Sequence, residues 1–311
     1  MRSRFRGSVL AAACGDALGM PTENISKKML REFYNGKVTS FQNPQPDHPC
    51  SHLHKGQWTD DTQQYLLLAQ SLVEYNGFNP EDFAQKIGLW AWRCEKEPGY
   101  DRWAGQTSLS AGMKLRNRVP YTKSGSSSAT CGSSMRTGPL GLFYHNQPDQ
   151  LTTIASTASS ITHTNPLAID AAVFTSHMIA NLARGETPKQ ATIGAYNQLR
   201  TELKNNIYYV IVNRKIHPTK MAQIIGSSQA ANETIPMALH CFLHSPDSLE
   251  ETLINGANLV PGDTDSIACI AGAFSGAHNG YEAIPERWSA NIEEKELLLS
   301  LADQLFEGSL Q

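Results

Sequence analysis

Two short acidic segments near opposite ends of the chain carry the residue types best suited to chemistry. The first spans residues 58–62, Trp-Thr-Asp-Asp-Thr, and the second spans residues 262–266, Gly-Asp-Thr-Asp-Ser. Carboxylates flanked by hydroxyl groups are hard oxygen ligands of the kind that magnesium, manganese and calcium prefer, and no thiolate or paired imidazole accompanies them to indicate zinc. If the segments meet, their four carboxylates repel one another, and two divalent cations would cancel the charge. The pattern therefore predicts two halves of one divalent metal site.

Each segment also has a purely structural interpretation, since Asp and Thr commonly cap a helix N-terminus. Successive side chains at a helix start diverge by about 100°, so Asp60 and Asp61 cannot chelate one ion side by side, although each could address a different ion. Asp263 and Asp265 can converge in a loop that leads into a helix. That helix, 266–277, is rich in small residues and is expected to be buried. Because the helix dipole offsets only part of a buried charge, a metal explains the second segment better than capping does.

Two further segments could contact a substrate. The Gly/Ser-rich stretch 124–141 lacks the P-loop pattern, and it forms either an ordinary flexible loop or a set of backbone N–H groups that cradle a diphosphate. His163 lies at a predicted loop-to-helix junction, where it could be structural or could bind a sugar or phosphate. The alternating histidines and cysteine of segment 48–54 lack the second ligand pair of a zinc site, so a solvated loop is the favoured interpretation.

The elements that must position these residues have helical patterns. Apolar residues recur with helical spacing along most of the chain and strands are scarce, which predicts an all-α fold, taken as one domain over residues 1–311. Segment 206–212 could be a short strand or a helix end. Residues 35–58, rich in Pro, Gly and His, are predicted to form a long irregular loop. The predicted helices are 6–19, 62–75, one beginning at Pro80, 149–160, 166–184, 188–206, 218–225, 232–244, 248–260, 266–278 and 293–306.

The composition of the chain excludes several classes of protein. Its 311 residues carry a formal net charge of −3 and no basic run, so the electrostatic footprint of a protein that binds nucleic acid or an anionic membrane is missing. Six scattered cysteines without a Cys-x-x-Cys pair suit a reducing cytoplasm. No run of about eighteen apolar residues is present to span a bilayer. Cys14, Gly15 and Asp16 interrupt the apolar N-terminal segment, which argues against a cleavable signal. We therefore expect a cytoplasmic protein.

Several motifs occur in the order found in one known family. They are 15–19 with Glu23, the 59–62 motif, Met135-Arg136 before 139–141, Thr162-His163, and 262–266. In this order they resemble the ADP-ribosylglycohydrolase family, which includes dinitrogenase reductase-activating glycohydrolases and the ADP-ribosylarginine and ADP-ribosylserine hydrolases. The resemblance runs over nearly the whole chain. It implies an all-α protein, a single compact domain of orthogonally packed helices around a central dinuclear metal cleft.

The resemblance also implies roles for particular residues. The metal ligands would be Thr59, Asp60, Asp61, Asp263, Asp265 and Ser266, holding two Mg²⁺ or Mn²⁺ ions. The substrate-binding residues would be Gly132, Ser133, Ser134, Met135 and His163. The catalytic residues would be Glu23, Asp60 and Asp61. Glu23 is the candidate for an acid/base or loop-gating role, and a simple cap or surface carboxylate is the alternative. Asp16 is assigned to structure, because a carboxylate in a Gly/Ala-rich turn often accepts hydrogen bonds from backbone N–H groups.

The activity implied is metal-dependent hydrolysis that releases ADP-ribose from a modified protein, with arginine as the favoured acceptor. The partner would be an ADP-ribosylated protein substrate, and a cognate ADP-ribosyltransferase toxin is a further candidate. One alternative is a non-catalytic or dual-role binding protein of the same fold, such as an immunity factor that occludes a toxin or a crystallin-like structural protein. Another is a metal-dependent hydrolase of phosphate esters. The presence of every candidate ligand argues against a purely structural role.

Some parts of the chain depart from the family pattern. Pro261 stands where the family generally has glycine before the second acidic motif. Segments 35–57 and 186–226 have no secure counterpart. These segments are expected to contact the acceptor, so the acceptor stays open at this point.

Overall fold

The computed structural model describes residues 1–310, and the fold is built almost entirely from helices. Seventeen α-helices occur in this described part of the chain. In chain order they are α1 (Arg2–Gly19), α2 (Lys27–Tyr34), α3 (Asp60–Tyr75), α4 (Pro80–Lys96), α5 (Gln106–Arg116), α6 (Tyr121–Ser124), α7 (Gly138–Phe143), α8 (Pro148–Ser160), α9 (Pro166–Ala183), α10 (Pro188–Tyr196), α11 (Leu203–Val212), α12 (Pro218–Ile225), α13 (Ala231–His244), α14 (Leu249–Ala257), α15 (Thr264–Asn279), α16 (Glu286–Ser289) and α17 (Lys295–Gly308). Residues 1–310 contain no β-strand, only isolated bridges from Ser126 to His163 and from Thr130 to Ala230. The predicted all-α class is confirmed.

Helices α1 and α15 run antiparallel through the centre of the fold and pack backbone against backbone. Both are rich in glycine and alanine, and most of their residues are buried. A Cβ atom at Gly15 of α1 would lie 2.1 Å from the carbonyl oxygen of Ala268, and one at Gly272 of α15 would lie 2.2 Å from that of Ala11. These separations are far inside van der Waals contact, so only glycine allows the approach. The contact brings the end of α1 to the start of α15, where the second acidic segment lies.

The remaining helices bury their apolar faces around this pair. Helix α9 is buried along almost its whole length and packs on α7, α8, α10 and α15. Its start is fixed by the Asn165 side chain, which accepts a hydrogen bond from the Leu167 N–H at 2.9 Å, and by Pro166 at the first helical position. Helix α3 packs on α4, α7 and α17. In this arrangement the first turns of α3 and α15 share one end of the core.

The predicted helix 188–206 is wrong as a single element, because the structure has two helices, α10 and α11, in this region. The Asp170 carboxylate accepts hydrogen bonds from the backbone N–H groups of Arg200 at 2.7 Å and Thr201 at 2.6 Å. These bonds hold the connection between the two helices in a turn. Helix α11 includes residues 206–212, so the strand interpretation of that segment is also wrong and the helical alternative is right.

Most other predicted helices match the structure within a few residues. The helices outside the prediction are α2, α5, α6, α7 and α16. Residues 35–58 contain no helix, as predicted. Within residues 1–310, every helix is either too short or too polar to cross a membrane.

Candidate active site

The two acidic segments meet at the starts of α3 and α15. Thr59 is the N-cap of α3, and its hydroxyl accepts a hydrogen bond from the backbone N–H of Asp61 at 3.3 Å. The same hydroxyl donates to Asp265 Oδ2 at 3.5 Å, which joins the two segments directly. Thr59 therefore caps a helix and also links the two halves of the predicted site.

Asp16 braces the first segment from the last turns of α1. Its carboxylate accepts hydrogen bonds from the backbone N–H of Thr59 at 2.9 Å and from that of Thr62 at 3.0 Å. The Thr62 hydroxyl also donates to Asp16, at 2.6 Å. The expected pairing of Asp16 with backbone N–H groups is confirmed, although the residue lies in a helix. Asp16 thus ties the start of α3 to α1, and through α1 to α15.

Glu23 follows α1 and completes an acidic cluster with the second segment. Glu23, Asp263 and Asp265 each place one carboxylate oxygen within 4.8 Å of the others. Asp263 Oδ2 accepts hydrogen bonds from the Cys131 thiol at 3.1 Å and from the Thr234 hydroxyl at 3.2 Å. Three carboxylates this close repel one another unless protons or cations lie between them.

Burial and mutual repulsion oppose ionisation of these carboxyl groups in the metal-free protein. Burial, followed by the charges of Asp265 and Asp263, raises the pKa of Glu23 well above its ordinary range. Burial, followed by the charge of Asp16, raises the pKa of Asp60 to about 8. Perturbed carboxyl groups gathered in one cleft are typical of a functional site.

Two buried carboxylate oxygens of the cluster have no hydrogen-bond partner. They are Asp61 Oδ2 and Asp265 Oδ1, on side chains that are 3% and 5% exposed. Buried polar atoms nearly always have a partner in folded proteins, so these two need an explanation. Asp61 and Asp265 line the same cavity, and paired anionic oxygens are what a hard divalent cation binds. The residues present therefore fit a divalent metal.

Gly132 and His163 form another wall of the cleft. A Cβ atom at Gly132 would lie 3.1 Å from Cε1 and 3.2 Å from Nε2 of the His163 ring, so glycine lets the ring lie against the turn. His163 Nδ1 is 2.7 Å from Thr162 Oγ1, and Nε2 is 3.0 Å from Thr130 Oγ1. Burial, followed by the charge of Arg136, lowers the pKa of His163 to about 3, so the ring is neutral at physiological pH.

The hydroxyl groups of Ser133 and Ser134 are engaged inside the protein. Ser133 Oγ accepts a hydrogen bond from Ser159 Oγ at 2.8 Å, and Ser134 Oγ donates to the Cys131 carbonyl at 2.6 Å. Neither residue lines the cleft. Their contact with a substrate stays a prediction, and it would have to use the backbone.

The cleft encloses a volume of about 200 Å³. The predicted residues that line it are Glu23, Asp60, Asp61, Gly132, Met135, His163, Asp263, Asp265 and Ser266. Thr59, Ser133 and Ser134 lie behind its surface. The structure thus brings both acidic segments, Glu23 and the Gly132 turn to one cavity.

Several lining residues were missed by sequence reasoning. They are Trp103, Gly105, Gln106, Thr107, Ser108, Thr130, Cys131 and Gln229. Half of them belong to the N-cap and first turn of α5. The available signal was Gly105 just ahead of Leu109 and Met113, which have helical spacing.

A larger cavity of about 520 Å³ opens between α2, α12 and α14. Its lining includes Lys27, Arg31 and Lys37 and contains no carboxylate. None of the predicted site residues lies there. We regard the smaller cleft as the candidate active site, because it holds the unpaired oxygens and the perturbed carboxyl groups.

The loop 35–57 is not solvated around its first histidine, so that interpretation of segment 48–54 is wrong there. His48 is 3% exposed and Cys50 is fully buried. His48 Nε2 donates a hydrogen bond to the Glu23 carbonyl at 3.2 Å, while Nδ1 accepts one from the Cys50 N–H at 3.1 Å. Burial lowers the pKa of His48 and keeps the ring neutral. The loop therefore anchors the backbone of Glu23 through the buried His48 ring.

Comparison with known proteins gives a consistent result. The family model described as ADP-ribosylglycohydrolase matches residues 1–311. An uncharacterized protein of Archaeoglobus fulgidus is 35% identical over 99% of this chain and 97% of its own length. ADP-ribosylhydrolase ARH3 of Homo sapiens is 27% identical over 99% of this chain and 94% of its own length. ADP-ribosylarginine hydrolase Tri1 of Pseudomonas putida is 25% identical over 99% of this chain and 79% of its own length.

A solved structure agrees with these relatives. It is an ADP-ribosylglycohydrolase-related protein complex, 27% identical to this chain, with a TM-score of 0.81 over 99% of this chain and 98% of the other. The family match agrees with the observed fold and with the meeting of the two acidic segments in one cleft. The chain belongs to the ADP-ribosylglycohydrolase family.

Proposed function

We propose that this chain is a metal-dependent hydrolase that removes ADP-ribose from modified proteins, with arginine as the acceptor. The observation that carries the proposal is the pair of unpaired buried oxygens, Asp61 Oδ2 and Asp265 Oδ1, in a cleft that Glu23 also lines. Family membership supports the ADP-ribosyl hydrolase activity. The acidic residues of the predicted site, Glu23, Asp60, Asp61, Asp263 and Asp265, all line one cavity, and this favours catalysis over a purely structural role.

The metal site would take its ligands from both acidic segments. The proposed ligands are Thr59, Asp60, Asp61, Asp263, Asp265 and Ser266. Bound divalent cations would supply Lewis acidity to ribose oxygens and lower the pKa of a bound water. Their positive charge would also balance the carboxylates that repel one another in the metal-free cleft. Two Mg²⁺ or Mn²⁺ ions suit the hard oxygen ligands and their number.

Glu23 is proposed to hold and transfer the proton of the reaction. Its carboxyl group lies beside Asp263 and Asp265, and its backbone is anchored by His48. Asn24 Nδ2 also donates to Glu23 Oε1 at 3.2 Å, which limits where the carboxyl group can swing. Cleavage of a glycosidic bond passes through an oxocarbenium-like state, so carboxylates near the ribose stabilise the positive charge that develops.

The remaining walls of the cleft are proposed to bind the ADP-ribose itself. Gly132 has no side chain, so a substrate can approach the backbone of its turn. Thr130 and His163 place polar atoms in the same wall, and Thr107 and Ser108 add hydroxyl groups from the start of α5. Hydroxyls and a neutral imidazole suit hydrogen bonding to ribose and phosphate oxygens.

An arginine acceptor is favoured by the charge and shape of the cleft. The lining combines several carboxyl groups with the indole ring of Trp103. A planar guanidinium is attracted by carboxylates and also stacks on aromatic faces. The relative from Pseudomonas putida is named an ADP-ribosylarginine hydrolase, which agrees with this choice.

A panel of defined linkages tests the proposal. Peptides carrying ADP-ribosyl-arginine or ADP-ribosyl-serine are incubated with the protein in Mg²⁺, Mn²⁺ or EDTA, and released ADP-ribose is measured by mass spectrometry. Release from the arginine peptide with either cation, and none in EDTA, is expected. Asp60→Ala and Asp265→Ala should abolish release, while Asp149→Asn, an exposed carboxylate on α8, should not. No release from either linkage under any condition would overturn the proposed function, and release from serine alone would overturn the acceptor.

A further inference from the structure

Arg136 is a buried charged residue without an ion-pair partner. Its side chain is 0% exposed, and none of the ion pairs within residues 1–310 involves it. Its Nε has no hydrogen-bond partner, and the guanidinium carbon lies 5.3 Å from the centre of the Phe83 ring. Burial lowers the pKa of Arg136 to about 9, so the group is still charged at neutral pH. Burying a charge without an ion pair is costly, so this residue needs a reason beyond packing.

One branch of hydrogen bonds leads from Arg136 to the metal half of the cleft. Arg136 Nη1 donates to Gln64 Oε1, and Gln64 Nε2 donates to Asp60 Oδ2 at 2.7 Å. The guanidinium can only donate, so it fixes the orientation of the Gln64 amide with the NH₂ group toward Asp60. Gln64 lies one helical turn after Asp60 in α3 and is fully buried. The position of an Asp60 oxygen therefore depends on Arg136.

A second branch leads from Arg136 to the imidazole wall. Arg136 Nη2 donates to Thr162 Oγ1 at 2.7 Å, and the same oxygen lies 2.7 Å from His163 Nδ1. The buried Thr162 hydroxyl has one proton to place, and of its two partners within residues 1–310 the Arg136 guanidinium can only donate, so the proton is directed to His163 Nδ1. The neutral ring must then carry its own proton on Nε2, 3.0 Å from Thr130 Oγ1 at the cleft. One guanidinium thus determines which nitrogen of His163 is a donor.

We propose that Arg136 is a positioning residue that serves both walls of the cleft with one guanidinium. Through Gln64 it fixes the carboxylate of Asp60. Through Thr162 it fixes the Nε2–H tautomer of His163. This proposal rests on the proposed function in two respects, namely that Asp60 is a metal ligand and that His163 contacts ADP-ribose.

The two branches of hydrogen bonds can be removed separately by single substitutions. Gln64→Leu removes the metal branch, Thr162→Val removes the imidazole branch, and Arg136→Lys keeps a positive charge but loses the two-armed geometry. Mn²⁺ affinity and ADP-ribose affinity are measured by titration calorimetry on the full chain. The His163 tautomer is read from long-range ¹H–¹⁵N NMR spectra, with the signal assigned from a His163→Gln variant.

Each substitution should have a distinct effect on Mn²⁺ affinity, ADP-ribose affinity and the His163 tautomer. Gln64→Leu should weaken Mn²⁺ binding about tenfold, equal to about 1.4 kcal/mol, and leave the His163 tautomer unchanged. Thr162→Val should weaken ADP-ribose binding by a similar factor and shift His163 away from the Nε2–H tautomer, with Mn²⁺ binding unchanged. Arg136→Lys should show both effects together.

Other outcomes would contradict the assignment. If Arg136→Lys lowers only thermal stability and both affinities stay at the wild-type level, the residue is merely structural. If Thr162→Val leaves the tautomer unchanged, the imidazole branch is wrong, and that result holds even if Arg136 variants fail to fold. If the wild type binds neither Mn²⁺ nor ADP-ribose, the proposed function fails, whereas the tautomer measurement still decides the imidazole branch.

Discussion

The metal-free protein should lose stability as the pH rises from about 6.5 to about 8, a range in which the buried histidines are already largely neutral in both the folded and the unfolded state, and a divalent cation should reverse the loss. In the folded chain, burial followed by the charge of Asp16 raises the pKa of Asp60 from 3.8 to about 8. In the unfolded chain the group titrates near its ordinary value. Between the two values the folded state keeps a proton that the unfolded state has released. The contribution to stability is therefore complete below the lower value and is lost as the pH rises toward the upper one.

The size of the loss follows from the same pKa values. Each pKa unit corresponds to about 1.4 kcal/mol, so Asp60 alone should lower the free energy of unfolding by about 2 kcal/mol between about pH 6.5 and about pH 8. Burial also raises the pKa of Asp61 and Asp265 well above the ordinary range, so these groups act in the same direction. A folded domain has only about 5–15 kcal/mol in total. We therefore expect the metal-free protein to be clearly less stable at about pH 8 than at about pH 6.5, and the stabilisation by cations to grow with pH across this range.

Urea denaturation followed by circular dichroism measures this loss, at about pH 6.5 and about pH 8, in EDTA and in Mn²⁺. Asp60→Asn removes one titrating group and should make the metal-free protein less sensitive to pH. Asp149→Asn changes an exposed carboxylate and should behave as the wild type does. A metal-free stability that stays level or rises across this window would refute the view that the carboxyl groups are held together against their own charge.

Two further predictions concern the walls of the cleft. Gly132→Ala should weaken ADP-ribose binding at least tenfold, by about 1.4 kcal/mol or more, because the new Cβ atom would lie 3.1 Å from the His163 ring. Titration calorimetry measures this affinity, and an unchanged affinity would mean that the ring can move freely. His48→Ala should lower kcat about tenfold with little change in Mn²⁺ affinity, because the Glu23 carbonyl loses its hydrogen-bond donor. The control is His52→Ala, which changes an exposed histidine of the same loop. Equal effects of the two substitutions would rule out an anchoring role for His48.

Much of the fold was predictable because its signals are local. Helical spacing and caps mark α9 and α12 closely, since proline and asparagine or histidine stand at their starts. The break between α10 and α11 was not predictable, because the Asp170 carboxylate that holds it comes from a different helix. Local periodicity carries no information about such a partner.

The candidate active site, too, was predictable only in part. The chemistry of the two acidic segments was evident from their residue types, and the family order of motifs linked them to Glu23 and His163. The contribution of α5 was missed because its first turn reaches the cleft by tertiary packing and carries no charged side chain there. The inward hydroxyl groups of Ser133 and Ser134 were missed because residue type does not reveal in which direction a side chain points in an irregular turn.

The close contacts of Gly15 with Ala268 and of Gly272 with Ala11, on the central helix pair, have a consequence for the choice of ion. Because α1 and α15 touch through main-chain atoms, no rotamer change can alter the spacing between Asp16, which holds the first acidic segment, and the second acidic segment at the start of α15. Ligand distances differ between small and large cations, about 2.0–2.1 Å for Mg²⁺ and about 2.3–2.6 Å for Ca²⁺. The ion must therefore match a gap that is set by the contact between two main chains, and size selection depends on glycines of α1 and α15 that are not themselves among the proposed ligands.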